Sequence, residues 1–149
     1  NYGRRFPVET PTHIAGVLDF RNGAIGTIIT SFDVWGTKTP RIEVHGTEGT
    51  LLVPDPNTFG GPVYIKRHHH ADFIEVPLTH RFTENSRGLG LADMALAIRE
   101  GRSHRASGEM AYHVLEVMHG ILAASREGRH VEIASACGKP EPLPLDFLS

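Results

Sequence analysis

Residues 12–35 read THIAGVLDFRNGAIGTIITSFDVW. An Asn22-Gly23 pair divides two apolar runs, 12–20 and 24–34. Asn-Gly between such runs is the strongest short signal for a β-hairpin with a two-residue turn. Folded there, Phe20 lies opposite Ile25, Leu18 opposite Thr27, Gly16 opposite Ile29 and Ile14 opposite Ser31, all on one face. The other face pairs Val17 with Ile28, Ala15 with Thr30 and His13 with Phe32. Both faces carry large apolar side chains. A sheet with one wet face alternates more cleanly, so the spare face is expected to meet another domain or subunit.

Further strands are expected over 41–45, 50–53, 63–66 and 73–78, with Gly46-Thr47-Glu48-Gly49 as a second hairpin turn and Pro54-Asp55-Pro56-Asn57 ending its second strand. The pattern then changes period. Asn85 or Ser86 can cap a helix running to about Glu100, with Leu91, Met94, Ala95 and Ile98 as its stripe and Gly101 past its end. Ser107 can cap a second helix from Glu109 to about Glu127, striped by Ala111, Val114, Leu115, Met118, Ile121, Leu122 and Ser125, with Gly128 following. A last strand is expected over 130–134. The tail GKPEPLPLDFLS is too proline-rich for regular structure, though Leu143, Leu145 and Phe147 can dock on a surface. Strands followed by two helices give an α+β fold: a predominantly antiparallel, open-faced β-sheet with two main helices packed on one face.

The chain has 149 residues, enough for one domain with a core. Fifteen Lys and Arg against 17 Asp and Glu leave a net charge of −2, which gives no electrostatic case for nucleic acid or an anionic membrane. No apolar run approaches the ~20 residues of a bilayer span. A lone cysteine, Cys137, makes no internal disulfide, and a cytoplasmic location is expected.

Few residue patterns suggest chemistry. His68-His69-His70 suits a polar loop, because adjacent strand side chains diverge. Glu116-x-x-His119 shares a helix face, but a carboxylate metal site needs a second copy of the pair; no metal site is expected. Gly88-Leu89-Gly90-Leu91-Ala92-Asp93 lacks the third glycine and the preceding strand of a dinucleotide fingerprint. No Gly-x-Ser-x-Gly elbow is present. The segment 78–88 is richer, placing His80, Arg81, Asn85 and Arg87 just before a helix. It suits either binding of anions or hydroxyl oxygens or a solvated loop with a capping Asn.

Three stretches taken in order, TPTHIAGVLDFRNGAIGTIITSFD (10–33), IEVHGTEGTLLVPDPNTFGG (42–61) and NSRGLGLADMALAIREGRSHRASGEMAYHVLEVM (85–118), resemble the C-terminal domain of the Gfo/Idh/MocA oxidoreductases. These NAD(P)-dependent enzymes are related to glucose–fructose oxidoreductase and inositol dehydrogenase. The resemblance spans roughly 10–133. It implies that residues 1–149 form a substrate-binding and oligomerisation domain. The Rossmann half that binds NAD or NADP, with its Glu-Lys-Pro lysine, is absent from this chain. The whole enzyme is then expected to act on a sugar or polyol, while this chain is inactive alone and holds no catalytic, cofactor-binding or metal-binding residue. Asn85 and Arg87 are the expected substrate-binding residues, and the sheet face the homo-oligomer contact. The alternative is a non-catalytic, self-associating or partner-binding regulatory module.

Overall fold

The structure is a computed structural model and describes residues 3–84 and 86–148. It divides into two compact units, Asn1–Lys38 and Thr39–Ser149.

The first unit is the hairpin. Strand β1 (His13–Asp19) pairs antiparallel with β2 (Ile25–Ser31). The expected register is off by one residue: Asp19 lies opposite Ile25, Gly16 opposite Ile28 and His13 opposite Ser31. The turn is the cause. Phe20 N–H donates to Ala24 O and Gly23 N–H to Phe20 O, so the loop holds three residues, Arg21, Asn22 and Gly23. Gly23 closes it at φ 85°, where a side chain would be strained, and the Asn22 side chain accepts from Ala24 N–H. A one-residue slip reassigns the faces. One face now carries Ile14, Leu18, Phe20, Ile28 and Phe32; the other carries Ala15, Val17, Ile25 and Ile29. Both remain apolar.

In the second unit, β3 (Ile42–Gly46), β4 (Gly49–Val53), β5 (Val63–Lys66) and β6 (Ile74–Val76) form a four-stranded antiparallel sheet in sequence order. Its register sorts the residues completely. Ile42, Val44, Leu51, Val53, Val63, Ile65, Ile74 and Val76 share one face; Glu43, His45, Thr50, Leu52, Tyr64, Lys66 and Glu75 share the other. Gly49 is obligatory, because a Cβ there would run into the Lys66 carbonyl.

Helix α1 (Leu89–Glu100) begins later than the sequence suggested. Gly88 is its N-cap and no side chain caps it; the Ser86 carbonyl accepts from Leu89 N–H instead. Asn85 lies outside the described residues. The expected stripe is also rotated: Leu91 and Ile98 are exposed, and the buried positions are Asp93 and Ala97. Helix α2 (Gly108–Glu127) starts as expected, with the Ser107 hydroxyl accepting from Met110 N–H at 3.2 Å. Gly101 and Gly128 close the two helices in the left-handed conformation.

Residues 130–134 form no strand. The Glu116 carboxylate takes the place of a ladder, accepting from Ala134 N–H and Ser135 N–H at 2.9 Å each. Ser135 Oγ lies 2.8 Å from His113 Nδ1, and Ile133 fills the space that Gly120 leaves free. The whole is an α+β fold of antiparallel strands in two sheets, with two helices. Among the described residues, no helix is long and apolar enough to cross a membrane.

Candidate functional site

The segment 78–88 links β6 to α1, and its described residues, all but Asn85, form no helix or strand. Its backbone is fixed from both sides by other parts of the second unit. On one side stands the β4–β5 loop. Asp55 caps a single 3-10 turn, Pro56–Thr58, by accepting from Asn57 N–H, and Phe59 follows at φ 67°. Gly60 then approaches Thr83 so closely that a Cβ would overlap the Thr83 carbonyl. Arg87 reaches across to the same loop. Its Nη2 donates to the Asn57 side-chain and main-chain oxygens, and its guanidinium lies 5.9 Å from the Phe59 ring centre.

On the other side lies the tail. His80 Nε2 is 3.0 Å from Leu143 O, and its Nδ1 is 3.0 Å from Thr79 Oγ1. A carbonyl can only accept, so Nε2 carries a proton and donates to Leu143 O. Arg81 Nη2 donates to Phe147 O at 2.8 Å, and its guanidinium sits 5.2 Å from the Phe82 ring. Phe82 and Phe147 meet edge-to-face at 6.4 Å.

His80 and Arg81 line both of two clefts. The larger, about 340 Å³, is closed by Phe82, Leu89 and tail residues 142–145. The smaller, about 230 Å³, lies among Phe59, Val63, Val76 and residues 77–79 and 83. Both are mostly apolar, with a few directed donors, which is the usual make-up of a small-molecule site.

The strongest polar cluster of the chain was missed in the sequence. Asp93 on α1 is only 3% exposed. Its Oδ1 meets Arg102 Nη1 at 3.0 Å and Arg105 Nη1, and its Oδ2 accepts from Arg105 N–H at 2.8 Å. Burial by itself would push its pKa up. The Arg105 amide and the two guanidinium groups outweigh that and hold it below the ordinary carboxylate value. Arg105 continues to the tail, donating to Glu141 O and Pro142 O at 2.8 and 3.1 Å. The available signal was one acid followed, 9 and 12 residues on, by two arginines across a helix end.

Other sequence candidates are spoken for by local structure. Glu116 holds residues 134–135, and the Ser135 side-chain hydrogen bond, with the Ala134 and Ser135 amides, lowers its pKa. His68, His69 and His70 stack edge-to-face in a turn, and His70 Nδ1 accepts from Arg67 N–H. Burial, with the neighbouring His69 and Arg67 charges, lowers the His70 pKa. Among the described residues, no group of three or more His, Cys, Asp or Glu side chains is placed to hold a metal ion. Of the two expected substrate ligands, Arg87 stands at the edge of the β4–β5 loop and Asn85 is outside the described residues.

Comparison with known families gives one match: the family model of an oxidoreductase family's C-terminal alpha/beta domain, GFO_IDH_MocA_C, fits residues 5–133. No curated protein and no solved structure matches the chain.

Proposed function

The chain belongs to the Gfo/Idh/MocA oxidoreductase family, as its C-terminal α/β domain, and from that premise we propose that it is the substrate-binding and self-association domain of a cytoplasmic, NAD(P)-dependent oxidoreductase acting on a sugar or polyol. The family match carries this reading. The site geometry supports it, because segment 78–88 presents ring and guanidinium N–H donors beside small clefts, and such donors suit hydroxyl oxygens.

The chain's described residues do not fit a dinucleotide. Every strand pair is antiparallel, and the glycines opening α1 follow a loop rather than a strand. The reading therefore assigns NAD or NADP to a domain outside residues 1–149. It also assigns the hairpin's spare apolar face to a second copy of the chain.

Arg87 keeps its proposed place at the substrate. An arginine has five N–H donors, and Asn57 engages only Nη2. In the intact enzyme Arg87→Ala is expected to lower kcat/KM about tenfold, the effect of losing about one charge-assisted hydrogen bond. Unchanged kinetics would remove Arg87 from the site. The chain on its own should show no melting shift with NAD⁺ or NADP⁺, and a shift of several degrees would contradict the assignment of the cofactor elsewhere.

A further inference from the structure

The tail lies beyond the matched residues 5–133, yet side chains of the second unit hold it. Its backbone has no strand partner, so its carbonyls need other donors. Three basic side chains supply them. Arg105 serves Glu141 O and Pro142 O, His80 serves Leu143 O, and Arg81 serves Phe147 O. Phe147 is 5% exposed and, with Ala97, forms the deepest apolar burial in the chain. By contrast Leu145, which lines the larger cleft, is 64% exposed. The tail is thus pinned over 141–143 and at Phe147, with the Leu145 side chain exposed between them.

Two of the three side chains it occupies, His80 and Arg81, line both clefts. We propose that residues 141–148 are an internal ligand: the Leu143 and Phe147 carbonyl oxygens stand where hydroxyl oxygens of a polyhydroxylated substrate bind to His80 and Arg81. Substrate and tail then compete, and the docked tail is an autoinhibitory strap. This rests on the sugar or polyol reading of the same site. Tail residues 142–145 are themselves one wall of the larger cleft, so the substrate takes the place of the tail beside His80, Arg81, Phe82 and Leu89. Apparent affinity falls by the fraction of molecules whose site is free, so release of the strap should tighten binding.

Two variants of the intact enzyme release the tail with opposite kinetic results. Phe147→Ala removes the buried anchor and leaves both donors; KM for the polyol is expected to fall about fivefold. Arg81→Ala removes a donor as well as the Phe147 contact; KM is expected to rise about tenfold. A purely structural tail would move KM the same way in both. Strap release is read separately, as the rate at which chymotrypsin clips the tail, since that rate follows the open population. Glucose, sorbitol and myo-inositol are the probes. Whichever is turned over should speed clipping of the wild-type tail several-fold. Turnover with clipping slowed or unchanged overturns the strap alone, as does a rise in KM for Phe147→Ala. If Phe147→Ala fails to fold, a chain ending at Pro140 replaces it, with the same expected fall in KM. An intact enzyme that turns over no polyol sinks the parent reading, and the strap falls with it.

Discussion

The hairpin and the four-stranded sheet are built from the same kinds of residue and solve burial differently. In the sheet the period-2 alternation is clean: eight aliphatic residues lie on one face, while the other is mainly polar. One covering layer satisfies it. In the hairpin the apolar residues fall on both faces, with Phe32 94% exposed on one and Ile25 73% exposed on the other. A two-stranded ribbon is marginal alone, and no single layer can cover both its sides. Each large apolar side chain left in water forfeits about 1.5–3 kcal/mol. The lesson is that one region is complete with one neighbour and the other needs two.

The largest expected effect follows directly. If the hairpin face bearing Val17 and Ile29 meets a second copy, Val17→Lys with Ile29→Lys places two charges per subunit in that contact. Self-association should then be lost, and sedimentation should give the subunit mass while the circular dichroism of the fold persists. A variant that keeps its wild-type mass assigns the second cover to something else. Next in size is Asp93→Ala. It strands two guanidinium groups that hold the α1–α2 connection and the tail, and should cost about 2–3 kcal/mol by denaturant titration. Because the folded Asp93 pKa lies below the unfolded one, its stabilisation is present above the unfolded value and lost as pH falls through the folded value. Asp93→Asn should therefore flatten the acid limb of the stability profile. An unaltered limb would mean that the carboxylate is already paired in the unfolded chain.

Much of this architecture was legible in the residues. The α+β order, the antiparallel strands, the Ser107 cap and the Gly101 and Gly128 stops all follow from local chemistry, which neighbours in sequence decide. What failed was what distant residues decide. The α1 stripe was placed on Leu91 and Ile98 because helical period alone cannot say which side faces inward, and a charged residue, Asp93, took the inner side with two arginines. The strand expected over 130–134 did not form, because the partner of residues 134–135 is a helix carboxylate rather than a strand. At the candidate site, the charge cluster before α1 pointed to segment 78–88. The tail's grip on His80 and Arg81 spans 63 and 66 residues and left no local trace.

The hairpin register was a different failure, because the same dipeptide serves two turns. Asn22-Gly23 suits a two-residue loop, but here Arg21 joins it and Gly23 alone takes the positive φ. Gly23→Ala should cost about 1 kcal/mol. Removing Arg21 should leave Asn22-Gly23 as a two-residue turn with Phe20 still opposite Ala24, so nuclear Overhauser contacts should still report Gly16 opposite Ile28. Loss of the Gly16–Ile28 pair would show that Arg21 itself, not the closing Phe20–Ala24 pair, sets the register.

The smallest effect tests whether the four-stranded sheet is one-faced. Thr50 and Leu51 are neighbours on β4, and alternation puts them on opposite faces. The Thr50 hydroxyl lies 3.1 Å from the exposed His45 ring. Thr50→Gln should therefore change stability by no more than about 0.5 kcal/mol, as surface substitutions usually do. Leu51→Gln, which puts an amide among Val44, Ile65 and their neighbours, should cost several times more. Equal costs would mean that the polar face is also covered, and the sheet would join the hairpin as a two-sided element needing two neighbours.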